Sequence, residues 1–354
     1  MKPYSCVSTQ PGDQLWELWC SIPALIDPQH HHEWATKPQP DDGKFWKGLI
    51  LYQDSLPIGR LGLYRPVDFS LDGQACGMVG HYACVNNPRG ASYLLGAATQ
   101  MFHELGWNRW IGPMDGSTWD AYRFRLENRP ITCLGEQQHP TYFANHFQQA
   151  GCEVMAEYVT SKSYEFPCDP NWRETQARFE RRGIRFRTMD MDRYEEELRG
   201  VFPLCKAGFR NNYVYTDISE SHFLSKYLPL RKFLKAEWIF LAEDEGELVG
   251  LMFAYPNLPH IHPKSVVAKT VVRAPGRKYA GIGRVLANLL HHHMQETAME
   301  ELVHAFMILD GNGQALSHRY FGELYQRYHL YGFGFPQSTP KRASFPTLES
   351  LMHG

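Results

Sequence analysis

The sequence predicts a mixed α/β chain folded as two tandem units, each a twisted, mixed, largely antiparallel sheet flanked by helices. Three observations lead there. The chain has 354 residues, long for one core and comfortable for two domains of about 150 to 180 residues each. One order of elements, a hairpin, a long strand, a loop and a helix, occurs twice. In its second occurrence the apolar β-branched run 265–272 stops at Pro275-Gly276, and an amphipathic helical pattern starts at Gly281-Ile282-Gly283.

Taken in order, Leu15, Trp16, Leu18, Trp19, Ile22 and Leu25 recur at near-helical spacing and predict a helix over 12–27. The triple His30-His31-His32 is read as a solvated loop, because consecutive residues point in different directions and cannot share one metal ion. Residues 46–52 and 57–64, joined by Gln53-Asp54-Ser55, predict an antiparallel pair. A strand over 77–85 and a helix over 93–106, closed by Gly106, follow. Residues 110–111 begin a strand that breaks at Gly112-Pro113, and a short helix over 142–150 leads into another strand near Val154.

Pro167-Cys168-Asp169-Pro170 reads as a boundary, giving domains 1-166 and 167-354. Beyond it the order repeats: helix 172–182, strand 184–189, helix 194–207, then a hairpin of 237–243 and 247–255 around Asp244-Glu245-Gly246. The strand 265–273, the glycine loop, a helix over 281–297 and a strand over 302–309 complete it. Ile58-Gly59 sits in the first hairpin where Val249-Gly250 sits in the second, so the chain reads as an internal duplication.

Composition removes several classes of function. A net charge of −2 argues against a nucleic-acid partner, which needs a basic face. No apolar run approaches the roughly 18 residues that span a bilayer, so no membrane partner is expected. Met1 to Cys6 lack the apolar core of a signal peptide. The eight cysteines show no Cys-x-x-Cys pair, so they read as reduced thiols of a cytoplasmic protein, and no metal site is expected. His291-His292-His293 lie about 100° apart around a helix and are read as surface and core-edge residues.

The glycine loop is the chemistry-bearing stretch. Glycines let backbone N–H groups approach a phosphate closely, and a helix start adds partial positive charge. Arg277, Lys278 and Arg284 are placed to reinforce it. No Gly-Lys-Ser/Thr closes the loop as in a Walker motif, and the Rossmann spacing is missing. What remains is Lys278-x-x-Gly281-x-Gly283, with a plain strand-to-helix turn as the alternative.

That spacing resembles the Arg/Gln-x-x-Gly-x-Gly/Ala signature of the GCN5-related N-acetyltransferase (GNAT) superfamily, and the order of elements in the second half is similar to that family's. A final aromatic helix ending Tyr328-His329-Leu330-Tyr331-Gly332-Phe333 is similar to its closing Leu-Tyr-x-x-x-Gly-Phe motif. The whole resembles tandem GNAT proteins, in which one half keeps the cofactor and the other shapes the substrate cleft. The first half departs at Asn87-Pro88-Arg89-Gly90, where one glycine and no Gly-x-Gly stand. It is read as a degenerate copy and a substrate wall.

The resemblance implies acetyl-CoA as cofactor and direct transfer of an acetyl group to a small-molecule amine. It implies that Val271, Val272 and Arg273 bond the pantetheine arm. The backbone from Arg277 and Lys278 through Tyr279, Ala280, Gly281, Ile282 and Gly283 to Arg284 would hold the pyrophosphate, with Asn312 and Ser317 completing the cofactor site. Tyr328 fits the tyrosine that protonates the departing thiolate, since a phenol near pKa 10 can supply a thiolate whose acid lies near about 8.5. Tyr331 and Tyr325, one helical turn to either side, are the substitutes.

Asp310 is the candidate base, with a turn role or a water relay as alternatives; His304 begins its strand about 20 Å from the cleft mouth at roughly 3.3 Å per residue. Asp115, Thr118, Trp119, Tyr122 and Arg123, with Asn212, Tyr213 and Tyr215, fall on loops rich in hydrogen-bonding and stacking groups. They are the candidate acceptor-binding residues, against packing as the alternative. Two rival functions are another acyl or aminoacyl transferase of the tandem type and a CoA-binding module without turnover.

Overall fold

The computed structural model describes residues 4–38, 44–66, 68–258 and 261–335. They fall into two compact units. The first takes the chain up to Ile131, Gly135–Tyr158 and the residues from Gln326; the second takes Thr132–Leu134 and Val159–Tyr325. The main division thus falls eight residues before the expected 166/167 boundary, and the C-terminal strand counts with the first unit, not the second.

The first unit is built from β1 (Tyr4–Thr9), α1 (Trp16–Ile26), β2 (Phe45–Gln53), β3 (Leu56–Tyr64), β4 (Gly77–Cys84), α2 (Pro88–Glu104), β5 (Trp110–Gly112), α3 (Tyr142–Gln149) and the start of β6 (Glu153–Ser163). After α4 (Trp172–Glu180) the same series returns as β7 (Ile184–Thr188), α5 (Tyr194–Phe209), α6 (Glu220–Tyr227), β8 (Ile239–Asp244) and β9 (Glu247–Pro256). It continues through β10 (Ser265–Arg273), α7 (Ile282–Glu296), β11 (Glu301–Ile308), α8 (Asn312–Arg319) and β12 (Glu323–Phe333). The duplication therefore extends well beyond the hairpin and glycine loop that first suggest it.

In the first unit β1, β2, β3 and β4 are antiparallel neighbours and β5 joins β4 in parallel. In the second, β7 to β10 repeat that arrangement and β11 joins β10 in parallel. The two hairpins superpose in register: Gly59 faces Leu51, and Gly250 faces Ala242. At Gly250 the physical reason is visible, because an added Cβ would lie 2.6 Å from Ile282 Cγ2. Only a residue without a side chain lets the first turn of α7 press onto β9.

Each unit closes on its own apolar core. Trp19, Ile50, Leu61, Leu94, Phe102 and Trp110 are buried in the first. Ile282, Val285, Leu286 and Leu290 recur along one face of α7 and pack with Phe179, Ile184 and Leu302 in the second. Among the described residues no helix is long and apolar enough to cross a membrane.

Three elements differ from the sequence reading. The aromatic C-terminal run is strand β12, not a helix: Gln326, Tyr328 and Leu330 are buried alternately, which is period two. Its partner is β5, with Tyr331 opposite Gly112 and Phe333 opposite Trp110. Helix α2 starts at Pro88, not 93, because the Asn87 side chain caps it by accepting from the Gly90 amide at 3.1 Å while Pro88 occupies the first helical position. Strand β1 is absent from the sequence reading altogether.

Buried histidines make the fold acid-sensitive. Burial pushes His139 and His146 down to about 4 and His304 down to about 3, against roughly 6.5 in an unfolded chain. Below 6.5 the unfolded state therefore binds protons that the folded state refuses, and folding stability falls as pH drops from about 6.5 towards 4. Urea midpoints at pH 7.5 and pH 5 check this; the acid midpoint is expected to be lower, and equal midpoints would refute it.

Candidate functional site

Strands β10 and β11 run parallel, but their ladder joins only Ser265 to Glu301 through Ala268 to His304. Beyond it β10 continues to Arg273 and β11 to Ile308 with no pairing between them among the described residues. The strands part at the end from which the chain leads through the glycine loop into α7. Among the described residues no ladder pairs Val271, Val272 and Arg273 of β10 with β11.

Within the loop, Gly276 and Gly281 adopt φ of +103° and +99°, values that strain any residue with a Cβ. Arg277–Tyr279 make one 3-10 turn between them. Gly281 is the N-cap of α7 and has no side chain to cap with. The amides of Gly281, Ile282 and Gly283 accordingly donate to no acceptor among the described residues, as the first turn of a helix requires. They lie at the positive end of a 15-residue helix. In α2 the corresponding position differs, since Pro88 has no N–H and Asn87 occupies the Gly90 amide.

The basic side chains do not behave as the sequence suggests. Lys278 Nζ is held 2.6 Å from Asp244 Oδ2, and the Tyr279 hydroxyl donates to the same oxygen at 2.8 Å. Arg284 pairs with Asp169 at 3.2 Å and Arg319 with the same carboxylate at 2.8 Å, where the Tyr320 hydroxyl also donates. Burial favours a protonated Asp169, but the hydrogen bonds from Arg319, Asn288 and Arg284 win and hold it below the usual carboxylate range. Arg273 turns back to bond the carbonyls of Ala274 and Gly276. Lys278, Arg284 and Arg273 thus hold the loop within its unit, while Arg277 is exposed in the 3-10 turn.

In the first unit the segment after β5 stays against β4, with the Met114 amide donating to the Val79 carbonyl at 2.7 Å. The ladder of β4 with β5 stops after Met78 and Ile111, although β4 runs on to Cys84. A buried polar chain is centred on His81 of β4. The Tyr64 hydroxyl meets His81 Nε2 at 2.5 Å; His81 Nδ1 meets Thr36 Oγ1 at 2.7 Å; and Thr36 donates to Asp115 Oδ2 at 2.6 Å. Because the Thr36 proton goes to the carboxylate, His81 Nδ1 must carry a hydrogen and Nε2 must accept from Tyr64. The His81 amide donates to Asp115 Oδ1 at 2.7 Å.

Burial, then the Arg60 charge, holds His81 well below its usual value, so the ring is neutral. Arg60 itself is fully buried and donates to the carbonyls of His81, Trp19 and Thr36.

With this geometry in view, comparison with known proteins is informative. The chain matches no family model. It is 21% identical over 200 residues to the bacterial ceramide synthase of Caulobacter vibrioides (strain NA1000 / CB15N), which covers 55% of this chain; the chain spans about half the length of that relative, 50%. Among solved structures, a GCN5-related N-acetyltransferase from Sphaerobacter thermophilus aligns over 96% of this chain and 98% of its own at 13% identity, with a TM-score of 0.50. One from Anabaena variabilis ATCC 29413 aligns over 93% and 72% at 10% identity, with a TM-score of 0.51.

The fold is that of the GCN5-related N-acetyltransferases. Two GNAT-like units in tandem account for the repeated series of elements and for the alignments that span almost the whole chain.

On this GNAT frame the candidate residues separate by unit. Val271 and Val272 face Met252 and Leu251 across the β9–β10 ladder. Asp310 sits exposed in the turn after β11 with φ of +59°. Asn312 is exposed at the start of α8, but Ser317 is buried and its hydroxyl bonds His304 Nδ1, so its side chain points into the unit.

Tyr328 and Tyr331 lie in the first unit, three residues apart on a strand and hence on opposite faces. Tyr328 is buried and donates to Glu136 at 2.6 Å. Tyr331 is fully buried against Phe124 and Phe147, and burial pushes its hydroxyl far up. Tyr325 is partly buried beneath the Lys162 ammonium.

Asp115 and Tyr122 line one pocket of the first unit. Arg123 lies over the rings of Tyr122, Tyr158 and Tyr328 at 4.2, 5.1 and 5.6 Å. Thr118 and Trp119 belong to the turn that Ser117 stabilises. Asn212, Tyr213 and Tyr215 are in the second unit, where the Tyr215 hydroxyl donates to Asp217. The three rings of His291, His292 and His293 go to the Pro167 carbonyl, Arg173 and Trp238 respectively.

Sequence reasoning missed Thr36, Arg60, Tyr64 and His81. The one available signal was two polar residues, Arg60 and His81, at the centre of otherwise apolar strands.

Proposed function

We propose that the chain is an N-acyltransferase that takes an acyl group from a coenzyme A thioester, acetyl-CoA in the first instance, and transfers it directly to a small amine. One observation carries this reading: the amides of Gly281, Ile282 and Gly283 stand open at the start of α7, beside the parting of β10 and β11. A pyrophosphate has the charge and the acceptor oxygens that such a helix start attracts.

The backbone of Lys278, Tyr279, Ala280 and Arg284 would complete the cradle. The part of β10 beyond its ladder with β11, through Val271, Val272 and Arg273, would hold an extended arm by main-chain bonds. The thioester supplies an activated acyl group. In this reading the exposed Asp310, beyond the parted end of β11, is placed to accept the amine's proton.

A second reading has a specific observation behind it. Ceramide is an N-acylated base with a long acyl chain, and a ceramide synthase is among the proteins this chain is similar to. The donor would then be a longer acyl-CoA. Turnover by the intact chain with acetyl-, octanoyl- and palmitoyl-CoA over a panel of primary amines separates the two: an acetyl optimum supports the first reading and a long-chain optimum the second. Binding of every donor without release of free thiol for any amine would reduce the protein to a binding module.

A further inference from the structure

The pocket of the first unit lined by Asp115 and Tyr122 has no assigned occupant. We propose that it is a binding site for the terminal CH2–NH3+ head of a primary amine, seated on the Asp115 carboxylate between aromatic walls. The inference rests on the first unit alone and is independent of the donor site on α7.

Four features define the occupant. The cavity has room of about 30 Å³, against roughly 10–15 Å³ for one water on the same measure. A primary ammonium brings N–H donors to such a site, which a quaternary ammonium lacks. The cavity's aromatic walls are Trp34, Tyr82, Tyr122, Phe124 and Phe143, and aromatic rings attract a cation over their faces.

Its charged floor is Asp115. That carboxylate has about four acceptor directions, of which the His81 amide and the Thr36 hydroxyl take one each, with His81 Nδ1 3.2 Å away. Acceptor capacity is left for a donor in the pocket.

Finally, the charges around it leave room for a cation. His81 is neutral, and so is His139, held down by burial, which accepts the Arg125 amide on Nε2. Asp120 is bonded to Ser117. Arg60 also lines the pocket, and its guanidinium donates to the carbonyls of His81, Trp19 and Thr36. Burial raises Asp115 to about 6, with the Thr36 and His81 bonds working against the rise. The carboxylate is ionised at neutral pH and has no cationic side chain bonded to it among these neighbours.

Calorimetric titration of the full chain with ethylammonium chloride at pH 7.5 tests the proposal, with ethanol and tetramethylammonium chloride as comparisons. Saturable binding of ethylammonium alone is expected, weakening below pH 6 as the carboxylate takes a proton. Asp115→Asn is expected to weaken it by about tenfold or more, with circular dichroism reporting whether the variant folds. Because that variant can fail to fold, the carboxyl 13C shift of Asp115 is also followed in the unaltered protein. Saturating ethylammonium is expected to move its midpoint below 6. No saturable binding, equal binding of ethanol, or an unmoved Asp115 midpoint would each overturn the proposal.

Discussion

Replacing Gly283 with glutamate is expected to abolish coenzyme A binding while leaving the thermal midpoint unchanged or slightly higher. Gly283 is in the first turn of α7, and a Cβ added there would lie 3.8 Å from Val271 Cγ2, an ordinary contact. A carboxylate in the first turn stabilises a helix by roughly 0.3–1 kcal/mol, and removing a helical glycine adds up to about 1 kcal/mol.

For an anionic ligand the sign reverses. The new charge sits among the amides of Gly281, Ile282 and Gly283 and meets the pyrophosphate directly. A loss of at least about a hundredfold in affinity, near 2.7 kcal/mol, is expected. Calorimetry and a thermal melt on the same sample check both signs. Unchanged affinity would remove the loop from the site, and a collapsed midpoint would show that the glycine serves the fold.

The largest stability effect is expected at Gly80→Ala. An added Cβ there would collide with Asp115 Oδ1 and come within 2.5 Å of the Met114 carbonyl oxygen. Backbone cannot turn aside as a flexible side chain can, so β4 or the 113–115 segment must shift, at a cost of about 3 kcal/mol. The same shift would pull Asp115 from the His81 amide and open the Tyr64–His81–Thr36–Asp115 chain.

Gly96→Ala is the control. It lies exposed in the middle of α2 with nothing within 4 Å of an added Cβ, and alanine there is expected to stabilise by up to about 1 kcal/mol. Urea unfolding of both variants gives the comparison, with opposite signs expected. A stable Gly80→Ala would mean that the close approach is not required.

Much of this fold was legible because its signals are local. Alternation marked β2, β3, β8 and β9, the 3.6-residue period marked α7, and the glycine pair marked the loop between β10 and α7. β12 was misread because Tyr325, Tyr328 and Tyr331 are spaced at three, which suits a helix face, whereas the burial of Gln326, Tyr328 and Leu330 follows period two. Nor does any local pattern reveal which unit's sheet a strand joins, so the place of β12 beside β5 could not be read.

The same limit applies to the sites. The turn into α7 was readable from Gly281 and Gly283, but the partners of Lys278 and Arg284, which are Asp244 and Asp169, are distant in sequence. The His81 chain unites residues 36, 64, 81 and 115, and only folding places them together.

The central claim is that the backbone at the start of α7, and not that at the start of α2, holds the cofactor's pyrophosphate. Amide chemical shifts of the isotopically labelled chain, followed while coenzyme A is added, test it most directly. The expected result is that the largest shifts fall on Gly281, Ile282 and Gly283, with Arg89 and Gly90 unmoved. Shifts centred on Arg89 and Gly90, or none at Gly281 to Gly283 at saturating coenzyme A, would contradict it.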